Sequence, residues 1–279
     1  MWQIITESVK SLHHPLNQDA NKFFISRDKE YAVIAVADGH GSKKCFRSEI
    51  GSAFAVEVLI KILKQQSSQN LFDNFQSGFS GLKENMAKTI HRQWLEKINR
   101  HFKENPFSPE ESLIDPMVLN NPVISYGTTL IGALITQNYI VYMQLGDGDI
   151  LVVTENKVIR PISKDENLIA NETYSLCDKE AYTYFKFYYQ PIIGQLPDLI
   201  LMSTDGYSNS FPNDNEFQKT AMDYYSLYKE EGLGFIKNNM AGWLRETTDN
   251  GSGDDLTTIL VFKDIENEST IKRETDIGN

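Results

Sequence analysis

The chain of 279 residues is poor in cysteine, in positive charge and in long apolar runs. Its two cysteines, Cys45 and Cys177, lie far apart and show no CxxC spacing. A disulfide framework and a zinc knuckle are therefore not indicated. Lys and Arg number 27 against 38 Asp and Glu, a formal net charge of −11. That balance repels polyanions, so neither nucleic acid nor an anionic membrane surface is an expected partner. A cation that binds carboxylates suits it better. No apolar stretch approaches the length of a membrane span. The first residues, MWQIITESVKSL, lack a basic region followed by a long apolar core. Fixed-period repeats and low-complexity tracts are also missing. The expectation is a reduced, cytoplasmic protein, long enough to bury a core without staples.

The chain mixes helices and strands. YAVIAVA, residues 31–37, has the length and composition of a buried strand, and Asp38-Gly39-His40-Gly41 ends it. Ser42 is a good N-cap, and Phe46, Ile50, Ala53, Val56, Ile60 and Leu63 keep helical spacing after it. Leu82, Met86, Ile90, Trp94, Ile98 and Phe102 mark a second helix, with QQSSQN between the two as a polar loop. Residues 104–123 hold four prolines and read as a loop crossing between two halves of one domain. Beyond it come the β-rich runs SYGTTLIGALIT, YIVYMQLGD and DILVVTE, then YTYFKFYY and LILMST. A helical region spans roughly 214–247 with a break near Gly232 and Gly234, and LTTILVF is the last strand. The expectation is one α+β domain over residues 1–264, with a polar, frayed tail over 265–279.

Three apolar runs abut acids: Asp38-Gly39 after YAVIAVA, Asp147-Gly148 after VYMQLG and Asp205-Gly206 after LILMST. Asp254-Asp255 precedes LTTILVF. Taken singly, an Asp-Gly pair is an ordinary turn. Together they place four or more carboxylates at the ends of strands. Carboxylates gathered at one sheet edge resist burial unless a hard divalent cation, Mg²⁺ or Mn²⁺, holds them. Glycine beside each acid lets a backbone carbonyl approach such an ion. His40 is either a turn residue or a proton donor.

In order along the chain, NQDA (17–20), VADGHG (36–41), YGTTL (126–130), LGDGD (145–149), STDG (203–206) and GDDLT (253–257) resemble the metal-dependent type 2C serine/threonine protein phosphatases. The resemblance implies a four-layer α-β-β-α sandwich, two antiparallel sheets flanked by helices, with a two-metal site at one edge. It implies that Asp38 bridges two metals, that Gly39 offers its carbonyl to the second, and that Asp205 and Asp254 complete the first. Asp19 would orient bound water, Asp147 would help hold a weaker third metal, and His40 would be the general acid. The implied substrate is a phosphorylated protein. A water shared by two Mn²⁺ or Mg²⁺ ions would attack phosphorus in line, without a covalent intermediate.

The chain departs from that pattern in places. Gln18-Asp19 stands where Glu-Asp is common, and His14 stands where an arginine grips the substrate phosphate. A histidine donates to phosphate without the planar fork of arginine; His13 and His14 read equally well as exposed loop residues. Asn209 replaces an acid at the third-metal site, and Asp255 fills an asparagine position. Neither CFRSEIG nor CDKEAYT has the arginine that closes a cysteine phosphatase loop. A phosphatase-fold binding or regulatory module with weak or no turnover is the alternative, and the segment 160–190 is the expected flap beside the site. Oligomeric state is not encoded in any motif; a monomer is the default.

Overall fold

The apolar runs become the inner strands of two five-stranded antiparallel sheets. The computed structural model describes residues 2–68, 79–164 and 173–264. One sheet has the order β2 (Ala20–Ile25), β3 (Tyr31–Ala37), β4 (Leu130–Thr136), β5 (Tyr139–Leu145) and β8 (Lys186–Pro191). The other has the order β1 (Trp2–Val9), β10 (Leu256–Lys263), β9 (Leu199–Ser203), β6 (Asp149–Thr154) and β7 (Lys157–Ile159).

Alternation along each strand builds the layers. Ala32, Ile34 and Val36 of β3 meet Ile200 and Met202 of β9 and Ile259 and Val261 of β10 between the sheets. Val33, Ala35 and Ala37 point the other way, against α1 (Ser48–Ser68) and α2 (Phe79–Glu104). Leu199 and Leu201 of β9 lie under α5 (Asp214–Asn250), with Phe217, Met240 and Leu244. The result is the expected α-β-β-α sandwich. β3 is buried on both faces, which is why it reads as an unbroken apolar run. Met86, Ile90, Trp94 and Ile98 form the buried stripe of α2, and Trp94 Nε1 donates to the Gly51 carbonyl of α1 at 2.9 Å.

Several local expectations change. Ser42 caps no helix: α1 starts at Ser48, and Ser42 accepts from the Cys45 amide at 2.8 Å in a turn. Arg47 holds this entry in place. Its guanidinium grips Glu111 through Nε and Nη2, both at 2.9 Å, and reaches the Tyr126 hydroxyl at 2.9 Å. Helix α1 runs on through Gln65–Ser68, so four of the six residues of QQSSQN are helical; glutamine is a good helix former. The proline-rich crossing contains short 3₁₀ turns and a short helix, α3 (Pro116–Asn120), with Asp115 accepting from the Met117 amide at 2.8 Å. Pro116 and Pro122 sit in first turns, where a missing amide hydrogen costs nothing. The break in α5 falls at Gly232, whose φ of 78° is left-handed. Strands β1, β2 and β7 had no counterpart in the sequence reading. The tail 265–279 and part of the segment 160–190 lie outside the described residues.

Candidate metal centre

Register brings the acids together. β2 runs antiparallel to β3 and pairs Ala20 with Ala37, so Asp19 and Asp38 meet at one edge. In the other sheet Ser203 pairs with both Thr258 and Asp149. The end of β9 therefore lies beside the starts of β10 and β6. Asp205 opens the short helix α4 (Asp205–Ser208) just after β9, Asp254 precedes β10, and Asp147 precedes β6. These ends lie at the same edge of the sandwich. Strand direction alone thus collects five acids from a span of 236 positions of sequence.

Asp38 is fixed through its backbone. Its amide donates to Thr129 Oγ1 at 3.1 Å, and its carbonyl accepts from the Thr129 amide at 2.8 Å and Thr128 Oγ1 at 2.7 Å. The YGTTL motif is thus the brace under Asp38, a role the sequence reading did not assign. Gly39 donates to the Gln18 carbonyl at 3.1 Å. A methyl group on Gly39 would come within 2.6 Å of that oxygen and 2.8 Å of the Ser48 carbonyl, so only glycine fits. Gly41 has a φ of 57°, and a methyl there would strike the Gln18 side chain.

Electrostatics mark the cluster. Burial pushes the Asp38 carboxyl well above its ordinary range, and the charges of Asp19 and Asp205 push it further. Asp38 and Asp205 are close enough to share a proton. Asp19 is raised chiefly by burial, against hydrogen bonds from Thr204 and Thr257; Thr204 Oγ1 donates to it at 2.8 Å. Burial and Asp205 raise Asp147 to about 6, and burial raises Asp254. Among the described residues no Lys or Arg pairs with Asp19, Asp38 or Asp205. Desolvated oxygen donors of one sign, with no cationic side chain on them, fit a hard divalent ion.

His40 stands at the rim. Its amide donates to the Gly127 carbonyl at 3.2 Å, and its ring packs over Gly127 beside Cys45 and Cys177. Burial holds the imidazole below its ordinary value, although Asp178 and Asp205 pull it up. Asn209 Nδ2 donates to Asp205 Oδ2 at 2.8 Å, so the residue that replaces an acid still orients that carboxylate. His14 lies on the same edge, with Nδ1 3.2 Å from Asp255 Oδ2 and 3.7 Å from Asp254 Oδ1. Asp255 is buried and accepts from the Ser11 amide at 2.7 Å and the Gln18 amide at 2.8 Å. It ties the β1–β2 connection to β10, a second role the sequence did not disclose. From the expected flap, the Leu176 amide donates to the Thr128 carbonyl at 2.9 Å, which puts residues 173–178 against the wall behind His40.

Comparison with known proteins agrees with this architecture. The model of the family described as Protein phosphatase 2C matches residues 13–245. The serine/threonine phosphatase stp of Listeria monocytogenes serotype 4b is 22% identical over 277 residues, covering 93% of this chain and 94% of its own. The serine/threonine phosphatase Stp1 of Staphylococcus aureus superposes with a TM-score of 0.64 at 19% identity, covering 95% of this chain and 96% of its own. The catalytic domain of the serine/threonine protein phosphatase PstP, solved with two manganese ions, superposes with a TM-score of 0.56 at 14% identity, covering 94% and 97%. Among the described residues no helix is long and apolar enough to cross a membrane. With a family match over residues 13–245, the chain belongs to the protein phosphatase 2C family of metal-dependent enzymes.

Proposed function

We propose that the chain hydrolyses phosphoserine and phosphothreonine esters on proteins with a pair of Mn²⁺ or Mg²⁺ ions. The observation that carries this is the cluster of Asp19, Asp38, Asp205 and Asp254 at one edge, with Asp19, Asp38 and Asp254 desolvated and no Lys or Arg among the described residues paired to any of the four. Asp38 would bridge the two ions, Gly39 would give its carbonyl to one, and Asp205 and Asp254 would serve the other. Asp147 would hold a weak third ion, helped less by Asn209 than by an acid. Bound there, the ions supply Lewis-acid stabilisation of the phosphoryl oxygens and a water nucleophile at neutral pH.

The chain's own residues do the rest. Asp19, held by Thr204, orients water at the centre. His40 protonates the departing serine or threonine oxygen. No side chain attacks phosphorus: burial pushes the Cys177 thiol up to about 11 and raises Cys45 as well, so neither is a thiolate at neutral pH. The substrate phosphate settles at the edge where His14 stands. Residues 1–264 act as one catalytic unit, monomeric and cytoplasmic, consistent with the acidic composition.

The test is phosphate release from a phosphothreonine peptide in Mn²⁺, in Mg²⁺ and in EDTA. Asp38→Ala and Asp205→Ala should each abolish release. Undiminished turnover in EDTA would sink the proposal, and tight metal binding without turnover would favour a binding module.

A further inference from the structure

The two departures from the family pattern at positions 14 and 255 touch each other. His14 and Asp255 are 241 residues apart, yet β1 pairs with β10 so that Val9 faces Leu256, and the chain just beyond one meets the chain just before the other. Around His14 Nδ1 stand Asp255 Oδ2 at 3.2 Å and Asp254 Oδ1 at 3.7 Å, and all three donor atoms lie within 4.8 Å of one another. His14 Nδ1 is buried and makes no hydrogen bond. The Asp255 side chain is 3% exposed and Asp254 is 48% exposed, so the trio has a rigid floor and an open mouth.

These separations suit a metal. Donors at right angles around an ion, each about 2.1–2.2 Å away, stand roughly 3 Å apart. Backbone amides fix the Asp255 carboxylate, with Ser11 on Oδ1 and Gln18 on Oδ2, as outer partners orient a ligand. Oxygen donors alone suit Mg²⁺, whereas an imidazole nitrogen beside two carboxylates favours the transition series.

The geometry points to a further cation site formed by His14 Nδ1, Asp254 and Asp255, adjoining the carboxylate centre through Asp254 and selective for divalent transition metals such as Mn²⁺, Co²⁺ or Zn²⁺ over Mg²⁺. This inference rests on the proposed centre for its neighbour and shares Asp254 with it, but His14 and Asp255 are its own, and no other member of the proposed metal set offers nitrogen. The open mouth leaves positions for water or a phosphate oxygen.

Pulsed electron paramagnetic resonance of the full chain loaded with Mn²⁺ decides it. Wild type should show nitrogen modulation from a coordinated imidazole, absent in His14→Gln and retained in His13→Gln. Calorimetric titration with Co²⁺ should give one site fewer, or one site at least about tenfold weaker, in His14→Gln. Circular dichroism of the metal-free variants confirms that both fold. Mn²⁺ bound to wild type without nitrogen modulation overturns this site alone and leaves His14 paired to Asp255 as an ordinary ion pair. If no divalent metal binds at all, the carboxylate centre falls with it.

Discussion

Single side chains decide whether this edge of the sandwich is a metal centre. Asp38, Asp19 and Asp147 all have carboxyls raised by burial first and by neighbouring acids second. A raised carboxyl means that the folded, metal-free chain holds more protons than the unfolded chain. The stability these groups contribute is present in acid and is lost as pH rises from about 3.8, the ordinary value, through about 6, the value for Asp147. Metal-free protein should therefore melt at higher temperature at pH 5 than at pH 7.5, and Asp38→Asn should narrow that gap while removing activity. Calorimetry in EDTA at both pH values checks the sign. His40 makes a separate claim. If it protonates the leaving oxygen, His40→Gln should cost about a hundredfold or more in kcat on a phosphothreonine peptide. The loss on p-nitrophenyl phosphate, whose leaving group needs no proton, should be far smaller. Equal losses on both substrates would assign His40 a structural role instead.

At the scale of elements, two features carry testable energies. Arg47 joins the start of α1 to Glu111 in the proline-rich crossing and to Tyr126 before β4. Removing it leaves a half-buried carboxylate unpaired, and Arg47→Ala should lower unfolding free energy by about 2–3 kcal/mol in urea titration. Gly232 interrupts α5 with a left-handed φ and has open space where a side chain would go. Gly232→Ala should cost about 1 kcal/mol through backbone strain alone. These elements also show how far the sequence could be read. Of the legible strands, β3, β4, β5, β6, β9 and β10 are largely buried, so their apolar residues run on or alternate plainly, while β8 was legible only as the aromatic run YTYFKFYY, whose first residues fall before the strand. β1 was not legible because it buries Trp2, Ile5 and Val9, a spacing closer to a helix than to a strand. β2 lies at an edge with no fully buried residue. The acids Asp38, Asp147, Asp205 and Asp254 were legible as strand-end punctuation. The contact of His14 with Asp255 was not, because it depends on the pairing of the first strand with the last.

Across the whole molecule, folding builds a site that the fold alone cannot neutralise. Two sheets stack their strand ends, an excess of eleven negative charges surrounds them, and the site acids are left without Lys or Arg partners among the described residues. On the proposed reading, cation binding would then be part of the stability of the protein. A ligand at a hundred times its Kd adds about 2.7 kcal/mol, which for a chain of this size is a rise in Tm of about 5–10 °C. Saturating Mn²⁺ should raise Tm by that order in wild type and by much less in Asp38→Ala, as read by differential scanning fluorimetry. The centre itself can be seen directly by anomalous diffraction from a crystal soaked in Mn²⁺. Two peaks about 3.5–4 Å apart, with an Asp38 carboxylate oxygen reaching both, are the expected result. A map with no peak at Asp38, or with a single ion that Asp38 does not touch, would contradict a bridged two-metal centre.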